Sequence, residues 1–394
     1  MQTTSPKIRL RRQVGGLVAL FCVYFAIVLL RSWQGLNRIP TDPNYDYFLS
    51  EKQFFDFLFR TSPHLHFDNP LVSSAAGIFP IHLHALAANL ISHVILALCA
   101  VGIFLALKRL NIREWVGSLG GLVLVLSPWA AQSTLGNYGN NRWPIIATSL
   151  IVIASEVARK QPSQWRIFIA AVLAAIANPI AIVITIPVAV LMLIRRSLSG
   201  RIAGLVAAPP IVILCLNLVL TNGSGHSARV EQLWDGVGLF WSTGLFLPTL
   251  ISLLGIAILL LCKSERSDLN IFGLSVFCSS IAIALVSYRL GGIADRYFVA
   301  PAALAGIGMV VVLFEAKLRW VLFRVATLGA VVLLVLIPSV KWFAVFPWLT
   351  SGPTWSQQVD DARRRCAAGD ITGASLLTSD GMTMTDPIPC AKLK

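Results

Sequence analysis

The amino-acid sequence predicts an all-α fold, a polytopic bundle of about eleven transmembrane helices. Hydrophobic residues make up 56% of the 394 positions and charged residues only 13%, with a mean hydropathy of +0.75. A soluble domain carries roughly 25% charged residues, because its surface must face water. Apolar runs such as Val14–Leu30, Ala85–Leu107 and Ile271–Val286 approach or exceed the roughly 20 residues that cross a hydrocarbon core. A lipid bilayer is the solvent in which so many such runs are stable.

The first predicted span starts on the cytoplasmic side of the membrane. Basic residues between Lys7 and Arg12 precede its apolar run, and no small-x-small cleavage site follows, which indicates a retained helix and not a removed signal peptide. The spans are predicted near residues 14–31, 86–107, 116–133, 143–158, 166–177, 180–195, 202–220, 244–262, 269–288, 297–314 and 321–340.

The stretch 166–195 could form one long helix or two short helices. Pro179 lacks an N–H donor and biases Asn178 away from helical geometry, which favours a turn between them. With a turn, more than half of the 32 basic residues fall in short cytoplasmic segments, whereas one continuous helix would place the later basic loops outside. The charge pattern therefore predicts the turn, with the N-terminus cytoplasmic and the C-terminus extracytoplasmic.

Two long segments are predicted outside the membrane. Residues 1–340 form the bundle, including an external first loop at 32–85, in which stretches such as Leu71–Pro80 suit short helices in the headgroup layer. Residues 341–394 form a small external tail with a polar helix near Ser356–Ala368. Cys366 and Cys390 lie in this tail and are expected to pair, because the extracytoplasmic compartment is oxidising. The tail is interpreted as a disulfide-pinned lid or interaction flap.

The formal charge of +14 is assigned to contacts with membrane lipids and not to nucleic acid. No nucleic-acid-binding motif accompanies the charge. Few ionisable residues are predicted inside the spans, and the acidic ones stand at cytoplasmic ends: Glu114, Glu156, Glu265, Asp268 and Glu315. This scarcity argues against ion-coupled transport, which needs intramembrane carboxylates.

Polar residues that suit chemistry are concentrated in the external segments. The first loop carries Asp42, Asp46, Glu51, Asp56, His64, His66, Asp68, His82 and His84. Shorter loops add Asn137, Asn140, Asn141, Arg142, Arg229, Glu231, Asp235, Arg289, Asp295, Arg296 and Tyr297. A carboxylate can act as general base on an acceptor hydroxyl, and arginines can hold a phosphate through paired hydrogen bonds. If these loops meet, they suit sugar transfer from a lipid-phosphate donor.

The chain resembles the GT-C superfamily of membrane glycosyltransferases, which use polyprenyl-phosphate-linked sugars. The resemblance lies in the acidic external stretch Asp42-Pro43-Asn44-Tyr45-Asp46-Tyr47, the close helix pair around Asn178-Pro179, and Arg296-Tyr297 at a late span. It implies a first-loop carboxylate as catalytic base, Asp46 first and Asp42 second. The Asp-Glu doublet of some members is absent, so the choice between these carboxylates stays open. The donor phosphate would be held by Arg296 with Arg142 or Arg289. The implied lining residues are Glu51, His64, His66, Asp68, Tyr297 and Asn141.

More closely, the chain resembles uncharacterised many-span proteins of actinobacterial type. The shared features are the stretch from Leu135 to Trp143, the Gly352-Pro353-Thr354-Trp355 segment, and a terminal Pro389-Cys390. The two resemblances together imply a bacterial cytoplasmic membrane protein that uses a polyprenyl-phosphate-linked sugar. Its acceptor would be an envelope glycan, a lipid or a protein on the outer face.

Other interpretations of the same residues stay open. The acidic residues could solubilise the loop, Arg296 could anchor at the interface, and Asn140-Asn141 could cap the next helix. His64 and His66 with Asp68 could bind a divalent metal. The sequence does not identify a cofactor. The competing functions are a transporter or lipid flippase, a non-catalytic scaffold for envelope assembly, and an acyl- or phospho-transferase.

Overall fold

A computed structural model describes residues 6–39, 68–127, 140–194, 200–220, 246–261, 266–291, 298–315, 352–377 and 387–393. Within these residues the chain is almost entirely helical. The α-helices are α1 (Pro6–Ser32), α2 (Asp68–Ala76), α3 (His84–Arg109), α4 (Glu114–Leu126), α5 (Arg142–Ala158), α6 (Gln164–Ala177), α7 (Thr185–Ile194), α8 (Gly200–Leu220), α9 (Phe246–Leu261), α10 (Ser267–Gly291), α11 (Val299–Glu315) and α12 (Trp355–Ala368). Short 3-10 helices cover Trp33–Gly35, Ile81–Leu83, Pro179–Ile184 and Cys390–Lys392. The all-α class is confirmed.

Three helical segments of the described chain are long and apolar enough to cross a membrane. They are Gln13–Gly35, Ile81–Arg109 and Ser267–Val286, with mean hydropathies of 2.4, 2.6 and 2.2. Shorter apolar helices cover Glu114–Leu126, Gln164–Ala177, Ala181–Leu191, Gly200–Leu216, Leu247–Leu260 and Val299–Glu315. The described bundle therefore consists largely of apolar helices, whereas the number of helices that cross the membrane stays a prediction. The span predicted at 321–340 lies outside the described residues.

Two helix ends differ from the prediction for local reasons. α1 begins at Pro6 and not near residue 14, so the basic stretch before the apolar run is helical. Proline suits a first helical position, because its missing N–H would have no partner there. α4 ends at Leu126 and not near residue 133, with Ser127 leaving the helix at ψ 127°. Ser127 precedes a proline in the sequence, and that position disfavours helical geometry.

The predicted interruption around Asn178-Pro179 is present. α6 ends at Ala177, Asn178 is extended at φ −163° and ψ 134°, and the 3-10 helix Pro179–Ile184 leads into α7. The 3-10 segment packs against α8, and α7 packs against α8 and α10. The stretch is therefore two helices and not one continuous helix.

The main core lies around α3, which packs against α1, α4 and α5. Buried aromatic side chains anchor the core, among them Tyr24 of α1, Trp143 of α5 and Phe272 of α10. The Tyr24 hydroxyl donates to the carbonyl of Ser118 at 2.9 Å, which joins α1 to α4. Glycines in α4 permit close approach of the neighbouring helices, as is usual where lipid supplies no hydrophobic drive for association.

Ion pairs gather at one end of the bundle, named here the ion-pair end. Glu156, at the end of α5, pairs with Arg109 of α3 at 2.7 Å and with Arg159 at 2.8 Å. Glu315, at the end of α11, pairs with Arg113 at 2.8 Å. These pairs place the ends of α3, α5 and α11 together with the starts of α4 and α6. The opposite end, where α1 and α4 finish and α3 and α5 begin, is named the loop end.

The tail forms a small second core at the loop end. α12 exposes charged residues on one side and buries Trp355, Val359 and Ala362 on the other, a spacing that places them on one helix face. This face packs against the 3-10 helix Ile81–Leu83 and belongs to one buried cluster with Val72 and Ala76 of α2. Two short strands of the tail, β1 (Gly373–Ala374) and β2 (Ile388–Pro389), form an antiparallel pair. A disulfide joins Cys366 to Cys390 with their Cα atoms 5.7 Å apart.

Candidate functional site

A buried group of polar side chains lies at the loop end and is named here the polar cluster. Its members are Arg31, Ser32, Asn89, Ser92, His93 and Asn141. Each is at most 3% exposed, and they come from α1, α3 and the residue before α5. Polar groups are costly inside an apolar bundle unless they are hydrogen-bonded. The partner of each side chain in this cluster therefore shows which part of the fold that side chain stabilises.

Arg31 binds the end of α4. Its guanidinium donates to the carbonyl oxygens of Val125 and Ser127, the latter at 3.1 Å, while the residue is 1% exposed. The last carbonyls of a helix lack partners within the helix and carry the negative end of its dipole. The early end of α4 thus creates acceptors that a planar arginine fork can satisfy. Arg31 thereby holds together the points at which α1 and α4 leave the bundle.

His93 links α1 to α3. Its Nδ1 contacts the Asn89 carbonyl one turn earlier in α3, and its Nε2 contacts the Ser32 hydroxyl. A serine beside an imidazole can be a nucleophile when a substrate can reach it. Here Ser32 is 0% and His93 1% exposed, and Ser32 also reaches the Val28 carbonyl at 2.9 Å. The pair is therefore structural and gives the acyl-transferase alternative no support.

Asn89 holds the chain that leaves α1 towards the first loop, residues 33–39, named here the first stem. Its side-chain amide lies 2.9 Å from the Leu36 carbonyl, 3.0 Å from that of Arg38 and 3.4 Å from that of Gly35. These carbonyls belong to irregular backbone, whose polar groups need partners when buried. Asn89 therefore determines the direction in which the first loop leaves the bundle.

Asn141 and Arg142 are the two predicted site residues whose side chains are described in the bundle. The Asn141 amide donates to the Ser92 hydroxyl at 3.0 Å and makes no capping bond to α5, so the capping interpretation is wrong for this residue. Arg142 begins α5, with its guanidinium 5.9 Å from the Trp143 ring and 3.5 Å from the Asn140 side-chain oxygen. A helix N-terminus carries partial positive charge, so Arg142 and the start of α5 together favour an anion.

Two predicted site residues occupy helices. Asp68 is the first residue of α2. Arg289 lies within α10, which runs to Gly291, so the prediction of a loop position for it is wrong. α10 extends past the predicted end at residue 288 because Arg289 and Leu290 both suit a helix. The other predicted site residues lie outside the described residues: Asp42, Asp46, Glu51, His64, His66, Arg296 and Tyr297.

Metal ligands do not come together within the described residues, where no group of three or more His, Cys, Asp or Glu side chains is close enough to hold an ion. His84 has its Nε2 2.8 Å from the Phe79 carbonyl, a local contact at the start of α3. His64 and His66, the sequence-based metal candidates, lie outside those residues.

An open pocket of about 740 Å³ lies at the loop end between the first stem, α3 and the tail. Its walls are Leu29, Trp33, Gln34, Leu36, Asn37, Arg38, Leu86, Leu90 and Thr354. The leucines make one wall apolar, whereas Gln34, Asn37 and Arg38 bring polar groups to the other. Trp33, which lines the pocket, is 69% exposed, and Leu30 of α1 is 68% exposed. The pocket is thus amphipathic and adjoins an apolar outer surface.

Of the polar cluster, sequence reasoning identified only Asn141. It assigned the acidic residues in the spans to cytoplasmic ends and did not single out Arg31, Asn89 or His93. A signal was available, because Asn89 and His93 stand inside the apolar run Ala85–Leu107. Their partners, which lie on α1 and the first stem, cannot be read from that run.

No known protein family matches the sequence, and no curated protein matches it. Among solved structures, the chain is similar to the arabinofuranosyltransferase AftD from Mycobacteria, at 15% sequence identity and a TM-score of 0.46. The similarity covers 98% of this chain and 32% of that chain, so this chain spans about a third of the length of AftD. At this level the likeness assigns no residue and no activity.

Proposed function

We propose that the protein is an integral membrane glycosyltransferase, which transfers a sugar from a polyprenyl-phosphate donor to an envelope glycan, lipid or protein acceptor. The observation that carries this proposal is the buried polar cluster beneath the stem of the acidic first loop. Arg31 and Asn89 of the cluster bond backbone carbonyls at the end of α4 and in the first stem, so they hold in place the described chain that leads into the acidic segment.

We propose that the reaction occurs on the extracytoplasmic face of a bacterial cytoplasmic membrane. Arg109, Arg113, Arg159 and Arg166 all lie at the ion-pair end, and basic residues in short segments favour the cytoplasm. The tail disulfide supports the same orientation from the other end, because disulfides persist in oxidising compartments. Both observations favour the loop end as the extracytoplasmic end.

The proposed chemistry divides between a carboxylate and arginines. Asp46, or alternatively Asp42, would accept the proton of the acceptor hydroxyl as it attacks the anomeric carbon. The bond from that carbon to the donor phosphate breaks, and the phosphate leaves with a negative charge that arginines stabilise. Arg142 has the best-supported place for this role, at the start of α5. Arg289 and Arg296 are the further candidates.

The amphipathic pocket supports the proposal that the sugar donor is linked to a lipid. Leu29, Leu86 and Leu90 offer an apolar wall that suits an isoprenoid chain, and Arg38 offers positive charge at the polar side. Because the pocket adjoins the apolar outer surface of α1, a lipid could enter it from the bilayer. The remaining candidates for lining the site are Glu51, His64, His66, Asp68, Tyr297 and Asn141.

The proposal is tested by sugar transfer in proteoliposomes that contain a panel of labelled polyprenyl-phosphate sugars. We expect Asp46→Asn or Asp42→Asn to lower turnover by roughly 100-fold, the usual contribution of a general base. Asp360→Asn is the matched control, because Asp360 is an acidic residue on the exposed side of α12 with a weak pair to Arg363 at 3.6 Å. Full activity in both loop variants would contradict the mechanism, and movement of unmodified lipid without transfer would indicate a flippase.

A further inference from the structure

One residue of the tail contacts both ends of the external loop. The backbone N–H of Trp355 donates to the Asn37 carbonyl in the first stem at 2.8 Å. Its indole Nε1–H donates to the Ile81 carbonyl at 2.7 Å, in residues 77–83, named here the second stem. The Trp355 side chain is completely buried. Trp355 therefore joins the chain that enters the acidic loop segment to the chain that leaves it.

Further bonds strengthen the link to the first stem. The Asn37 side-chain amide donates to the Ser356 hydroxyl at 2.7 Å, and the Arg38 guanidinium lies 3.3 Å from the Gly352 carbonyl. A capping box between Thr354 and Gln357 fixes the start of α12, because each side chain accepts from a backbone N–H of the other residue. The first turn of α12 is thus held in one geometry against the first stem.

The rest of the tail is held as firmly, which distinguishes it from a loose flap. Val359 and Ala362 are buried in one hydrophobic cluster with Val72 and Ala76 of α2. The Gln358 side chain bonds both the N–H and the carbonyl of Leu377, at 2.6 and 3.0 Å. The Cys366–Cys390 disulfide ties the end of α12 to the strand pair. A tail built in this way can transmit a fixed spacing to the two stems.

We propose that the tail is a clamp, with Trp355 as its positioning residue. The clamp fixes the separation of the two stems, and the proposed catalytic carboxylate lies between these stems in the sequence. The catalytic consequence rests on the proposed function, whereas the clamp itself rests on the contacts of Trp355, Ser356 and Gly352. Loss of the clamp should lower turnover more than substrate affinity, because small misplacements of reacting groups cost rate.

The test measures the distance between the stems directly, on the full-length protein in lipid nanodiscs. Spin labels are placed at Gln34→Cys and Ile78→Cys, which are exposed positions on the first and second stems, after Cys22, Cys99, Cys215, Cys262 and Cys278 are replaced. The clamp variants are Trp355→Phe, which loses the indole donor, and Ser356→Ala, which loses the bond to Asn37 and a 3.5 Å contact with the Thr354 hydroxyl. Trp165→Phe is the matched control, since Trp165 is 75% exposed at the ion-pair end.

We expect one narrow distance distribution in the wild type and in the control, and a broader one in both clamp variants. We also expect Trp355→Phe to lower kcat about tenfold with KM within about twofold, as for a lost positioning contact. Unchanged distributions in both clamp variants would overturn the clamp. A broadened distribution with full turnover would overturn the positioning role and leave the proposed transferase standing. If the wild type transfers no sugar, the proposed function fails, and the distances still decide whether the tail is a clamp.

Discussion

Individual polar residues in this bundle bind backbone that the helices leave unsatisfied. Arg31 donates to carbonyls at the end of α4, and Asn89 donates to carbonyls of the first stem. In both cases a long-range side chain replaces the partner that a continuing helix would have supplied. The residue types follow from this need, because a planar guanidinium and an amide each offer several donors in a fixed arrangement.

Glu156 is the residue whose replacement should cost the most stability at the ion-pair end. It is 1% exposed and pairs with Arg109, Arg159 and Arg166. Glu156→Gln should lower the free energy of unfolding by roughly 2–3 kcal/mol, less than for a fully buried pair because the arginines stay partly exposed. The measurement is thermal unfolding of the purified protein in detergent, read as a fall in Tm.

Glu114→Gln is the control for that change. Glu114 makes one exposed pair, with Lys108 at 2.7 Å, and such pairs contribute less than about 1 kcal/mol. Equal shifts of Tm for the two variants would show that the ion pairs of Glu156 stabilise the protein no more than the exposed pair of Glu114 does.

Among the elements, α4 depends most on small side chains for its position. A Cβ at Gly121 would meet the Tyr24 side chain of α1 and lie 2.9 Å from the Ala100 carbonyl of α3. Backbone cannot yield as a flexible side chain does, so three helices would have to separate. The absence of a side chain at this position is therefore what allows α1, α3 and α4 to meet.

Gly121→Ala should lower the free energy of unfolding by about 1–3 kcal/mol, the usual range for overpacking. Gly204→Ala in α8 is the control, because an added Cβ there has nothing within 4 Å among the described residues. Tm values of the two variants in the same detergent provide the comparison. A loss for Gly204→Ala as large as that for Gly121→Ala would argue against close helix contact as the cause.

For the whole molecule, orientation is the property that decides where chemistry occurs. The ion-pair end collects arginines, and the loop end carries the polar cluster, the pocket and the disulfide-linked tail. If the positive-inside rule applies, these two sets of features lie on opposite faces of one membrane.

Labelling with a membrane-impermeant maleimide tests this orientation in intact cells. Ile78→Cys, at an 84% exposed position of the loop end, should be labelled without permeabilisation. Glu114→Cys, at the ion-pair end, should be labelled only after the membrane is opened, since its side chain is exposed there and the proposed orientation puts that end in the cytoplasm. Both variants are made without the other free cysteines. The reverse pattern would move the site to the cytoplasmic face and remove the proposed mechanism.

Local patterns in the sequence were sufficient to predict the helices, because hydropathy and proline effects act within a few residues. The interruption at Asn178-Pro179 was predicted for this reason, and the tail helix predicted at Ser356–Ala368 begins one residue earlier, at Trp355. The early end of α4 was also readable in principle from Ser127, which precedes a proline. It was missed because the apolar run continues beyond that point.

The sequence by itself determined that the protein is a bundle of apolar helices, with polar and acidic residues gathered in a few segments between them. Only the tertiary structure decided that Trp355 bonds to Asn37 and Ile81, and that Arg31 bonds to the end of α4. These partners are distant along the chain, and their choice depends on how helices pack and where each one ends. Local composition specifies which segments are helical, but it does not encode which distant carbonyl a buried donor will reach.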